Sequence, residues 1–172
     1  MTTRRERTVM EALRQNLAIL RELAMHYEVS TYRGRSVLRG SEIKMPADAV
    51  KILAPEMEPL VQEQLRVLLL DTKNRIIGQH LVYQGNVSSS QVRAAEVFRE
   101  AVLEAAPSVI IAHNHPSGDP EPSPEDIQMT GILLEAGRLL NIDVLDHVIV
   151  GQGSHVSLRT RGLPIASRWP AT

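Results

Sequence analysis

The 172-residue chain contains no cysteine. Disulfide frameworks, thiolate nucleophiles and cysteine-bearing zinc fingers are therefore excluded, and so are zinc deaminases whose signature needs Cys-x-x-Cys. There is also no apolar run near the ~20 residues that span a bilayer, and no signal-like apolar region behind Met1-Thr2-Thr3-Arg4-Arg5. These absences, together with the lack of disulfides, lead to the expectation of a cytoplasmic protein without a membrane partner. Aromatic residues are scarce, with one Phe (Phe98), one Trp (Trp169) and three Tyr. A core must consequently be built from Leu, Ile, Val, Ala and Met, and a hydrophobic content of 43% in a chain of this length supports one core of ordinary size. Neither charge sign dominates: 19 Lys and Arg stand against 20 Asp and Glu, so the net charge of −1 gives no general attraction to nucleic acid. A local exception is the cluster of Arg33, Arg35 and Arg39 beside Tyr32. It could meet phosphates, but it reads first as a solvated turn or strand edge.

What the chain does have is a dense polar segment, His113-Asn114-His115-Pro116-Ser117-Gly118-Asp119-Pro120-Glu121-Pro122-Ser123-Pro124-Glu125-Asp126. The β-branched run Ser108-Val109-Ile110-Ile111-Ala112 before it suits a buried strand, so His113 and His115, at alternate positions, leave its end pointing the same way. Ser123-Pro124-Glu125-Asp126 opens a helix, and Asp126 in the first turn can turn its carboxylate back toward the histidines. Two imidazoles and one carboxylate leave a fourth position open, as a hydrolytic Zn2+ requires. Each residue also has a plainer reading: histidines at a strand end often face solvent, and Ser123 with Asp126 is an ordinary capping pair. Their coincidence in a usable order favours metal, with His113, His115 and Asp126 as ligands. Asp119 and Glu121 are reserve ligands. His147 is either a partner of a ligand or a satisfied core histidine, Asp146 either fixes an imidazole or caps a strand end, and His80 and His155 have no partner pattern.

Along the chain, Val9, Met10, Leu13, Leu17, Leu20, Leu23 and Ala24 recur at helical spacing, predicting an amphipathic helix over 9–27 that packs on the core or forms a homodimer contact. A short helix is expected over 46–53, closed by Pro55. Residues 65–71 and 76–84 read as a hairpin. Ser88, Ser89 and Ser90 are cap candidates for a helix reaching about residue 105, lined by Ala94, Val97, Phe98, Ala101 and Val102 and ended by Pro107. A helix over 124–140, a strand over 144–150 and an edge strand over 155–158 complete the pattern. Strands alternating with helices, two of the strands joined as a hairpin, predict an α/β fold with a mixed central sheet flanked by helices.

The segment resembles the JAMM, or MPN+, metalloprotease pattern of His-x-His, seven residues, Ser, two residues, Asp, and specifically its bacterial RadC-like (UPF0758) branch. HNHPSGDPEPSPED and the later Leu145-Asp146-His147-Val148-Ile149-Val150-Gly151 carry that resemblance, which runs from about residue 63 to 164. It implies the MPN/JAB, cytidine-deaminase-like sandwich over 59–172, preceded by a helical and basic accessory segment over 1–58. It further implies His113, His115 and Asp126 as zinc ligands, Ser123 as a hydrogen-bond donor to the oxyanion, and Glu63 as general base, with Glu58 and Glu96 as substitutes. Read without the resemblance, Glu63 is a solvated charge at a strand end. The chain departs from the branch where Arg93-Ala94-Ala95-Glu96 replaces His-Pro-Arg-Glu and where Gln64-Leu65 replaces His and an aromatic.

The expected function is therefore that of a zinc-dependent metallohydrolase, a JAMM-type metallopeptidase or isopeptidase acting on a protein or peptide substrate. Two alternatives stand beside it. One is a DNA-repair-associated nucleic-acid-binding protein or nuclease, suggested by the arginine cluster and the naming of the branch, although the helix-hairpin-helix module of longer RadC-like proteins is not in the N-terminal section. The other is a non-catalytic scaffold stabilised by zinc.

Overall fold

Leu65, Val67, Leu68, Leu69 and Leu70 leave little polar side chain in the first strand, which is buried along its whole length. This strand, β1 (Gln64–Leu70), pairs antiparallel with β2 (Ile76–Gln84). Asp71 shapes the turn between them: its Oδ1 accepts from the backbone N–H of Lys73 at 2.8 Å and of Arg75 at 2.9 Å, while Asn74 takes the left-handed conformation at φ 55°. The computed structural model describes residues 39–85 and 92–165, all within one unit, Gly34–Thr172. The helix expected over 9–27, Tyr32, Arg33, Arg35 and the three serines at 88–90 lie outside the described residues.

Beyond the hairpin follow α1 (Pro46–Met57, ahead of β1 in the chain), α2 (Ala94–Leu103), β3 (Ser108–Asn114), α3 (Pro124–Leu140), β4 (Asp143–Val150) and β5 (His155–Ser157). The sheet order is β2-β1-β3-β4-β5, with β3 antiparallel to β1 and parallel to β4, and β5 antiparallel to β4. This is the expected mixed sheet with helices on its faces. Strand alternation divides the core in two. Leu68, Leu70, Ile110, Ala112, Val148 and Val150 meet Ala49, Leu53 and Met57 of α1, while Val67, Leu69, Val109 and Ile111 meet Val97 and Phe98 of α2 and Met129 and Leu133 of α3. Fully burying each such Leu, Ile, Phe or Met contributes about 1.5–3 kcal/mol. Among the described residues, no helix is long and apolar enough to cross a membrane.

Three expectations need correction. The helix over 46–53 does not stop at Pro55 but runs to Met57 with the proline inside it. Proline removes one helical hydrogen bond, yet Leu53 and Met57 are both fully buried one turn apart, and their burial offsets that loss. The next helix ends at Leu103, before the left-handed Ala105 (φ 49°), and Val102 is 57% exposed because the buried stripe consists of Val97, Phe98 and Ala101. The strand over 108–112 continues through His113 and Asn114, both pairing in register with β4. Ile43, Ala49, Leu53 and Met57 pack in the same core as the sheet.

The end of β4 is fastened to the loop after β3. Gln152 N–H donates to the Gly118 carbonyl at 2.9 Å, and His115 N–H to the Val150 carbonyl at 2.9 Å. A Cβ at Gly151 would collide with the Gly118 carbonyl and lie 2.8 Å from Pro120 Cδ. Gly151→Ala is therefore expected to destabilise the protein by about 1–3 kcal/mol, as overpacking does, measured from urea unfolding. A loss below about 0.5 kcal/mol, the range of ordinary surface substitutions, would contradict this packing.

Candidate metal centre

Four side chains meet where β1 begins and β3 ends. Glu63 precedes β1, His113 is the penultimate residue of β3, His115 lies just past it, and Asp126 is in the first turn of α3. One potential ligand atom from each falls within 4.8 Å of the others. His113 Nε2 is 3.0 Å from His115 Nε2 and 3.2 Å from Asp126 Oδ1, and His115 Nε2 is 3.5 Å from Asp126 Oδ2. His113 and Asp126 are buried, whereas His115 and Glu63 are half-buried and form the solvent side of the cluster.

Each side chain is held by its element. Ser123 caps α3: its Oγ accepts from Asp126 N–H at 3.1 Å, and Asp126 Oδ2 accepts from Ser123 N–H at 2.8 Å and from the Ser123 hydroxyl at 2.6 Å. The capping pair thus aims Asp126 at the histidines, and the serine hydroxyl is engaged with Asp126. His115 Nδ1 donates to the Asp119 carbonyl at 2.8 Å, so its Nε2 turns to the cluster. His113 Nδ1 lies 2.8 Å from Nε2 of the fully buried His147, whose Nδ1 is 2.6 Å from Thr130 Oγ1.

His147 faces α3 because the β3–β4 register slips between Val109 and Ile110, leaving Leu145 unpaired opposite them. That irregularity resets the alternation, so Leu145 joins Val148 and Val150 toward α1 while His147 turns to the other face.

Two contributors escaped the sequence reading. Asn114, between the histidines, accepts from Gln64 N–H at 2.8 Å and donates to the Gln62 carbonyl at 3.2 Å, gripping the backbone on both sides of Glu63. The signal was its place in His-Asn-His, where a carboxamide on the opposite face of the strand reaches the neighbouring strand. Thr130 could have been found as the residue one helical turn after Asp126 on the same helix.

The other candidates fall elsewhere. Asp119 offers the cluster only its backbone, its carboxylate accepting from Glu121 N–H at 3.0 Å, and Glu121 is paired with Arg161 at 3.0 and 2.7 Å. Asp146 accepts from the His147 and Arg159 N–H groups and from the Ser157 hydroxyl, so it fixes backbone and not an imidazole; burial pushes its carboxyl up. Glu58 is the C-cap of α1, and Glu96 pairs with Arg93. Arg39, the described member of the arginine cluster, pairs with Glu104 at 3.8 Å.

The electrostatics are those of a cation-seeking site. Burial pushes the Asp126 carboxyl up, but His113, His115 and Ser123 hold it well below the usual carboxylate range. The hydrogen bond with Asp126 raises His115 against burial, helped by the Asp119 carbonyl and by the charges of Asp126 and Glu63. Burial lowers His147 well below an ordinary histidine, so it is neutral near pH 7. Ligand atoms at about 2.0–2.1 Å around a tetrahedral ion stand about 3.3 Å apart. The 3.0 Å between the two Nε2 atoms and the 3.2 Å from His113 Nε2 to Asp126 Oδ1 are close to this, and the other carboxylate oxygen, Oδ2, lies 3.5 Å from His115 Nε2, so the nitrogen and oxygen donors are compatible with a metal ion.

A family model described as the RadC-like JAB domain matches residues 43–163, which include α1, the whole sheet and all four cluster residues. The chain belongs to the RadC-like JAB family. It is 52% identical over 135 residues to a UPF0758 protein of Roseiflexus castenholzii, covering 76% of this chain and 58% of that one. A UPF0758 protein of Chloroflexus aurantiacus is 54% identical over 121 residues, 70% of this chain and 53% of the relative. One from Methanosarcina mazei is 46% identical over the same length and shares. The chain thus spans a little over half the length of the curated relatives it matches. In this RadC-like JAB domain the four residues form a cluster compatible with a bound metal ion.

The paired shifts predict a pH window for the metal-free protein. His115, raised above its ordinary 6.5, stabilises below pH 6.5 and loses that contribution as pH rises through its folded value. Asp126, lowered from 3.8, stabilises above pH 3.8 and loses its contribution as pH falls through its folded value. The stability difference between the parent and Asp126→Asn, from urea midpoints in excess chelator, should therefore be largest between pH 3.8 and 6.5. A difference constant from pH 3 to 9 would show that the imidazole and carboxylate are not coupled.

Proposed function

We propose that this domain is a zinc-dependent peptidase or isopeptidase of the JAMM type, with a protein or peptide as substrate. The observation that carries the reading is the convergence of His113, His115 and Asp126 around one point, with a half-buried carboxylate, Glu63, beside it. His113 Nε2, His115 Nε2 and Asp126 would hold the ion. Nitrogen and oxygen ligands without sulfur suit zinc in a site with an open position, and when bound it supplies a Lewis acid for the scissile carbonyl and for a water.

The chain's own residues account for the proton movements. Glu63 stands on the open side of the cluster, the backbone of Gln62 and Gln64 on either side of it gripped by Asn114, where its carboxylate can take a proton from the attacking water and deliver it to the leaving amine. Ser123 has its hydroxyl within the Asp126 carboxylate's reach at 2.6 Å. Turned from Asp126 to the substrate, the same O–H would donate to the oxyanion and steady it. The fixed Nδ1 partners of His115 and His113 keep both ligands in place without rearrangement.

Glu63→Gln tests the assignment, because it keeps the side-chain shape and removes only the base. With zinc loading equal to that of the parent, cleavage of a panel of quenched peptides and lysine-isopeptide substrates is expected to fall by about 10²–10⁴-fold. Equal cleavage by the zinc-loaded parent and variant would remove Glu63 from the mechanism, and no cleavage by either would leave a zinc-stabilised scaffold.

A further inference from the structure

Thr130 touches none of the four cluster side chains through its hydroxyl, yet it is fully buried and its Oγ1 sits between two tight contacts, the Asp126 carbonyl at 2.6 Å and His147 Nδ1 at 2.6 Å. A threonine hydroxyl has one proton. A carbonyl oxygen only accepts, so that proton goes to Asp126, and Oγ1 is left as an acceptor toward His147. His147 Nδ1 therefore carries a hydrogen and its Nε2 a lone pair. That lone pair, 2.8 Å from His113 Nδ1, receives the His113 Nδ1 hydrogen. His113 Nε2 is in turn left bare, facing His115 and Asp126.

We infer that Thr130 is a positioning residue for the metal, whose single hydroxyl proton orders the His147–His113 relay so that His113 presents a bare Nε2 to the ion. The inference rests on the reading of His113, His115 and Asp126 as ligands. The opposite polarity would turn the hydroxyl proton onto His147, pass a hydrogen to the His113 side and leave a proton on His113 Nε2, where it competes with any cation. A metal-binding imidazole characteristically donates its remote N–H to an outer partner, and loss of that partner weakens the metal by about 10–100-fold. Here the outer partner is itself an imidazole, which has two tautomers, and the threonine removes that ambiguity.

Thr130→Val keeps the side-chain shape and deletes the hydroxyl, while Thr130→Ser restores it. Zinc affinity of the full chain is measured by competition with a chromophoric chelator, alongside urea stability of each metal-free protein. The valine variant should bind zinc about 10–100-fold more weakly, and the serine variant should return to the parent's affinity. Histidine ring ¹⁵N spectra of the metal-free parent should show His147 protonated at Nδ1 and bare at Nε2. This readout needs no variant to fold. A folded Thr130→Val with parental zinc affinity, or a parent His147 protonated at Nε2, would overturn the relay while the ligand reading stands. A parent that takes up no zinc at all would overturn the ligand reading and the relay with it.

Discussion

Strand β3 is paired on both sides, and that double pairing fixes where every group of the site stands. Antiparallel pairing with β1 sets Leu65 opposite His113, so the chain just before β1, with Glu63, arrives beside the end of β3. Parallel pairing with β4 sets His147 opposite Ile111, two residues before His113 and on the same side, within hydrogen-bond reach of it. The crossover between β3 and β4 is α3, and its first turn returns to the same end of the sheet with Asp126. Groups separated by more than eighty residues, from Glu63 to His147, thus converge on the end of one strand. The site is built on paired backbone and a capped helix, the kind of support that keeps a ligand set within the tolerance a metal ion demands.

Burial sharpens that arrangement. His113, Asp126, Thr130 and His147 are almost wholly removed from water, where unpaired polar groups cost about 1–3 kcal/mol each. Nearly every donor and acceptor around them is accordingly engaged: Nδ1 of each cluster histidine with its partner, the Asp126 carboxylate with the helix cap, and the Asn114 carboxamide with the backbone flanking Glu63. What remains pointing inward are the Nε2 atoms and the carboxylates. Such a set repels itself unless a cation or a proton sits among its members. The raised His115 and lowered Asp126 express that demand in the metal-free protein.

The site was most legible where its residues are close in sequence. His113, His115, Ser123 and Asp126 lie within one strand-loop-helix passage, and Ser-Pro-Glu-Asp marks the start of α3 at its observed residue. Glu63 could be singled out only by family likeness, because a lone glutamate before a strand carries no local signal and acquires one from the β1–β3 register. His147 was visible as a histidine in an apolar strand, but the face it occupies depends on the slip beside Leu145, which alternation in the sequence does not reveal. Thr130 and Asn114 act through hydrogen bonds to groups far along the chain or across the strand, and their residue types alone do not announce that. Among the helices, Pro55 misled because a local breaker rule was weighed without the burial of Leu53 and Met57 on either side of it.

The family's cluster, fold and match extent leave one central claim, that this end of the sheet is a metal centre. Elemental analysis of protein purified without chelators tests it most directly, comparing the parent with the double variant His113→Ala/His115→Ala. The account predicts about one zinc per chain in the parent and none in the variant. A parent that carries no metal and takes up no zinc on titration, or a variant that retains it in full, would contradict it.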